Sequence, residues 1–88
     1  MRSWILALTG ALGLLPLLAG AVDINHADAE TLARELNGVG ESRANAIIEY
    51  RETYGAFETA EDLLNVRGIG VQILDANRDN IELGPMTP

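Results

Sequence analysis

Apolar residues are distributed along this 88-residue chain in blocks of different period. Ile5 to Leu18 is an almost unbroken apolar run, interrupted by Thr9, Gly10, Gly13 and Pro16. Val22 and Ile24 then alternate with Asp23 and Asn25, the mark of a short extended lead-in with one face turned to a core. From Asp28 onward the spacing becomes helical. Asp28 offers an N-cap carboxylate for a helix running to Leu36, and Glu30 favours its first turn through the helix dipole. Ala44, Ile47, Ile48 and Arg51 follow the i, i+3, i+4, i+7 spacing of an amphipathic helix that begins at Glu41 and Ser42. It is expected to end near Thr53, with Gly55 suited to a C-terminal cap and Phe57 free to fold back on the core. Thr59 and Asp62 form an acidic capping box for a short third helix whose apolar side is Leu63, Leu64 and Val66. Ile73, Leu74, Asn77 and Ile81 mark a fourth. Gly84 to Pro88 has two prolines and no period, and is expected to fray.

Each pair of helices is joined by the same short turn. Leu36-Asn37-Gly38-Val39-Gly40 is echoed thirty residues later by Val66-Arg67-Gly68-Ile69-Gly70. Glycine reaches positive φ without steric cost and lets a foreign surface approach the main chain, while the aliphatic residue between the glycines plugs the core beneath. The helix that follows starts with unpaired N–H groups and the positive end of its dipole, so the turn is a candidate anion site with phosphate as the usual guest. A bland alternative stays open: glycines are routine in tight turns between helices. Two copies at a fixed interval, each keeping both glycines, favour the anion site.

The N-terminal run changes the count of residues available for folding. A basic start at Arg2, the apolar stretch, Pro16, and the small residues Ala19 and Ala21 match a secretory signal peptide over residues 1–21, cut after Ala21, for a periplasmic or secreted protein. The competing reading is an uncleaved anchor, because Ile5 to Val22 approaches the lower limit of about 17 apolar residues for a membrane span. Cleavage leaves 67 residues, with one domain over 22–83 and a flexible tail over 84–88. The chain has no cysteine, so no disulfide staples this small exported domain and helix packing alone must hold it.

Charge bears on partners. All six basic residues are arginine, against thirteen acids; without Arg2 the domain has five arginines against thirteen acids, a formal charge of −8. Arg34 is expected to pair with Glu30, and Arg51 and Arg78 with acids such as Glu52 or Asp75 on solvated faces. His26 is the single histidine and lacks a partner ligand, and the acids do not fall at calcium-loop spacing, so no metal site and no cofactor are expected. Tyr50, Tyr54 and Phe57 suit packing around the connecting loop. There is no Gly-x-Ser-x-Gly serine and no paired catalytic constellation, which argues against an enzyme and against a small-molecule substrate.

Taken together, Val22-Asp23-Ile24-Asn25, Ala27, Leu36 to Ala44, Ile47-Ile48-Glu49-Tyr50-Arg51, Tyr54-Gly55-Ala56-Phe57, Asp62 to Gly70 and Asn77-Arg78-Asp79-Asn80-Ile81 resemble the ComEA-like helix-hairpin-helix proteins. The resemblance covers essentially the whole chain after residue 21. It implies an all-α, tandem helix-hairpin-helix domain of about four short helices, and sequence-independent binding of double-stranded DNA during uptake of transforming DNA. It also implies a monomer when free, with DNA-uptake machinery as a further partner. By carry-over, the first hairpin contacts phosphates through the main chain of Gly38, Val39 and Gly40 with Ser42 and Arg43 beside them. The second does so through Gly68, Ile69 and Gly70, with Arg67 nearby. Amide and hydroxyl contacts to phosphate position a protein on DNA and read no bases.

Two departures qualify the resemblance. Glu41 follows the first glycine pair and Val71-Gln72-Ile73 follows the second, where the family commonly has proline or a small residue and then lysines, so the second hairpin is the weaker phosphate site. The acidic body also opposes the counterion-release term that drives DNA affinity. It leaves a second function class open, an acidic helix-hairpin-helix scaffold for protein–protein interaction in an exported or membrane-associated complex.

Overall fold

The computed structural model describes residues 21–85. The expected signal segment lies outside the described residues except for Ala21, and so do Met86, Thr87 and Pro88 of the expected tail. In chain order the elements are β1 (Val22–Asp23), α1 (Ala29–Glu35), α2 (Glu41–Tyr54), a 3₁₀ helix (Ala60–Asn65), α3 (Val71–Asn77), a 3₁₀ turn (Arg78–Asn80) and β2 (Ile81–Glu82). The described residues are mostly helical, with four helices arranged as two hairpin pairs.

The caps explain where the helices begin. The Asp28 carboxylate accepts from Thr31 N at 2.8 Å and opens α1. At the third helix, Thr59 Oγ1 accepts from Asp62 N and Asp62 Oδ2 accepts from Thr59 N, both at 3.2 Å, a closed capping box. α2 ends on Gly55, whose φ of +102° suits a residue without Cβ. The chain then turns Phe57 into the core, where its ring stacks on Tyr50 at a centroid distance of 5.0 Å.

One contiguous core holds both pairs. Val22, Ile24, Leu32, Leu36, Val39, Ala44, Ile47, Phe57, Leu63, Val66, Ile69 and Leu74 are all buried. Ala44 and Ala46 are the small residues that let other elements approach α2 closely. Burying a Val, Leu, Ile or Phe side chain stabilises the fold by about 1.5–3 kcal/mol.

The structure differs from the sequence expectations at several elements. The third helix is 3₁₀ rather than α: only six residues separate its cap from Val66, and Val66 N closes on Leu63 O at 3.0 Å. Leu64, placed on its apolar side by spacing, is exposed. The fourth helix stops at Asn77, and Ile81 belongs to β2, which pairs in parallel with β1 through Val22 opposite Ile81. Near this closure, Asn25 is buried and its side chain brackets Phe57, accepting from Phe57 N at 2.7 Å and donating to Phe57 O at 3.1 Å. Asn25 Nδ2 also donates to Gly84 O, and Gly84 N donates to Asp23 Oδ1, so Gly84 is held on both sides.

Two arginine expectations change too, and a third holds. Arg51 donates to Ile24 O at 2.9 Å instead of pairing with Glu52, and Arg34 meets Glu35 rather than Glu30. Arg78 does pair with Asp75, at 3.0 Å, and also with Glu61.

Candidate functional site

The two glycine turns are superposable in their chemistry. Gly38 and Gly68 take φ values of +80° and +92°, which only glycine adopts readily, while Gly40 and Gly70 have ordinary negative φ values of −85° and −108°. Val39 N donates to Leu36 O at 3.3 Å and Ile69 N to Val66 O at 3.1 Å. Val39 and Ile69 are buried under their turns, as are Leu36 and Val66. At the second glycines neither backbone strain nor crowding demands glycine. A Cβ added at Gly40 or Gly70 would meet nothing within 4 Å, so each is a bare stretch of main chain facing outward.

Each turn opens directly into a helix with free amides. The first helical bonds run from Ala44 N to Gly40 O at 2.9 Å and from Leu74 N to Gly70 O at 3.0 Å. The N–H groups of Glu41, Ser42 and Arg43, and of Val71, Gln72 and Ile73, therefore have no partner within their helices. Both cap residues are glycines, so no cap side chain closes onto these amides. α2 has fourteen residues behind its amides and α3 only seven. The first hairpin is thus the better supported of the two.

The side chains expected beside the turns come together in one place. Ser42, Arg43, Arg67 and Gly68 line a shared concavity between the hairpins, floored by Ala46. Arg67 is largely exposed, with Glu49 at 4.0 Å. Arg43 is exposed as well, but its Nε donates to Gly68 O at 2.7 Å, a contact between the hairpins that sequence spacing did not foresee. Val39 and Ile69, expected to offer main-chain groups, have their N–H engaged inside the turn. The outward amides are those of the residues that follow.

Asn77 is the supporting residue that sequence reasoning missed in this role. Its side chain is buried, accepts from Asn37 N at 2.8 Å, and donates to Asn37 O at 2.9 Å and Ile73 O at 2.8 Å. The first hairpin is thereby clamped to α3. A signal was available: an amide at a position where helical spacing demands an apolar residue. Asn80 adds a second tie by donating to Glu35 O at 2.8 Å, closing the C-terminus of α1.

The arrangement of helix, glycine turn and helix, found twice around one core, is matched by the helix-hairpin-helix motif model over residues 19–82. The chain belongs to the helix-hairpin-helix family. It is 47% identical over 60 residues to an uncharacterized protein of Haemophilus influenzae, covering 68% of this chain and 54% of that one. It is 45% identical over 60 residues to ComE operon protein 1 of Bacillus subtilis, covering 68% of this chain and 29% of the relative. It is a ComEA-like helix-hairpin-helix protein, spanning about half the length of the first relative and under a third of the second.

Electrostatics around the helix-hairpin-helix core is dominated by committed carboxylates. Asp62 lies below its ordinary pKa because the amides of Glu58 and Thr59 donate to it, and Asp28 because the amide of Thr31 does. Glu61 is lowered by the Arg78 guanidinium, which is itself raised. At Asp23, partial burial pushes upward, but the bonds from His26 and from the amides of Asn25 and Gly84 outweigh it and the net shift is downward. Among the described residues, Arg34, Arg51 and Arg78 are tied elsewhere, while Arg43 and Arg67 sit at the concavity between the hairpins.

Proposed function

We propose that this protein binds double-stranded DNA without reading its sequence, gripping phosphates with the main-chain amides that follow each glycine turn. The observation that carries the reading is the pair of bare hairpins, each plugged from below by a buried aliphatic residue and opening into uncapped amides. Such groups complement phosphate oxygens and distinguish no bases. Arg43 and Arg67 put positive charge between the hairpins on an otherwise acidic body. The name of the Bacillus subtilis relative, ComE operon protein 1, supports a competence-related role, and we place that role in uptake of transforming DNA. The protein acts as a binding module and not as an enzyme.

Titrating residues 22–88 with two unrelated duplexes at low and moderate salt tests this. Equal affinity for both is expected, weakening with salt by a log–log slope of about 0.9 per phosphate contacted. Gly40→Asp, which sets a carboxylate on the bare turn, should weaken binding to both. Absence of binding at low salt refutes the reading.

We also infer export, with cleavage after Ala21. What supports it is that Ala21 is exposed whereas Val22 is already packed in the core and paired with Ile81, so the cut leaves the domain whole. N-terminal sequencing of the protein recovered from its native host should begin at Val22; recovery of a chain that still starts at Met1 refutes cleavage.

A further inference from the structure

The third residue of the helix after each hairpin reaches across to the first glycine of the other hairpin. Ile73, third in α3, lies over Gly38: a Cβ added there would sit 3.6 Å from Ile73 Cγ1. Arg43, third in α2, lies over Gly68 in the same way: an added Cβ would be 3.3 Å from Arg43 Cγ and 3.4 Å from Nε. The two hairpins are therefore interlocked reciprocally. One lock is apolar. The other is the charge-assisted hydrogen bond from Arg43 Nε to Gly68 O at 2.7 Å.

We propose that Arg43 is a positioning residue that sets the separation of the two hairpins, rather than chiefly a phosphate ligand. Several observations converge on this. The guanidinium's Nε–H is already directed at a main-chain carbonyl, and that carbonyl belongs to the one residue of the second turn held at positive φ. Among the described residues the second hairpin has no counterpart of the Asn77 clamp on the Asn37 main chain: no side chain bonds the main chain of Arg67, and the residue thirty positions before Asn77 is the apolar Ile47. The second hairpin thus depends on Arg43 for what the first receives from Asn77 and Ile73. Resting on the DNA reading above, a fixed separation lets both amide sets meet phosphates of one duplex at once, which raises affinity by effective concentration without any added contact.

The test uses Arg43→Lys and Arg43→Met in the 22–88 protein. Lysine keeps the charge but puts a methylene where Nε sits; methionine keeps the methylene contact on Gly68 and drops both charge and donor. If Arg43 positions, Arg43→Lys weakens duplex binding about ten-fold with the salt slope unchanged, and it shifts the amide resonances of Ile69 and Gly70 in the DNA-free protein. If Arg43 is instead a direct phosphate ligand, Arg43→Lys binds like the original protein and Arg43→Met lowers the salt slope by about 0.9. That result, or unmoved Ile69 and Gly70 resonances in Arg43→Lys, overturns the proposal. Should the original protein bind no duplex, the DNA reading falls by itself and those two resonances alone decide the positioning role.

Discussion

Replacing Asn77 with alanine separates the clamp on the first hairpin from the general stability of α3. The substitution removes three hydrogen bonds and leaves Asn37 N–H and C=O without their protein partners. An orphaned buried polar group costs about 1–3 kcal/mol. Asn37 is itself exposed, so water recovers part of that loss, and a net destabilisation of about 2–3 kcal/mol follows once the two orphaned groups are combined. For a domain of this size each kcal/mol moves the melting temperature by roughly 4–8 °C, so a fall of about 10–20 °C is expected. The assay is a thermal melt by circular dichroism, with amide hydrogen exchange at Asn37 as a local readout. Asn80→Ala is the internal control: it removes a single bond to Glu35 O and should cost about 1 kcal/mol. An Asn77→Ala melt no lower than that of Asn80→Ala, or unchanged exchange at Asn37, would refute the clamp.

The remaining predictions divide between fold and binding. Gly38→Ala forces an L-residue to φ +80° and should destabilise by about 1–2 kcal/mol, whereas Gly40→Ala, at negative φ with open space around it, should lose only the N-cap preference for glycine over alanine, about 0.5 kcal/mol, yet bind duplex more weakly because its methyl holds phosphate off the main chain. Thr59→Ala opens the capping box of the 3₁₀ helix and should cost about 1 kcal/mol in a denaturant titration, with no change in duplex affinity measured below the transition. Asp23, Asp28, Glu61 and Asp62 all have lower pKa values folded than unfolded, so on acidification the unfolded chain takes up protons first. Stability is therefore whole above the ordinary carboxylate range and is lost as pH falls through the folded values; a melting temperature that rises on going from pH 6 to pH 3 would contradict this sign.

Much of the local structure was legible because it depends on neighbours in sequence. Asp28, the Thr59 and Asp62 box, Gly55 and the two glycine turns act on amides within a few residues, so residue type and spacing are enough to place them. Burial of Val22, Ile24, Val39 and Ile69 followed from period for the same reason. The third helix was harder: a segment of six residues between a box and a turn is short enough for 3₁₀ winding to compete with α, and spacing does not decide between them. Ile81 was assigned to a helix because it continues the spacing of Ile73, Leu74 and Asn77, yet pairing with β1 claims it.

At the candidate site the division is sharper. Sequence alone determined that two equivalent glycine turns exist, that each is plugged by an aliphatic residue, and that each begins a helix, because glycine's torsional freedom and the unpaired amides of a helix start are properties of the local chain. It did not determine what the arginines and asparagines do. Arg43 and Gly68 are 25 residues apart, and Asn37 and Asn77 are 40 apart; their meeting depends on how the hairpin pairs pack. A guanidinium on an exposed helix start can turn to phosphate, to a carboxylate or to a carbonyl, and these choices have similar energies until tertiary packing brings one acceptor within 3 Å. Packing chose the Gly68 carbonyl, and the first turn is clamped by an amide that looks, in sequence, like a flaw in an apolar face.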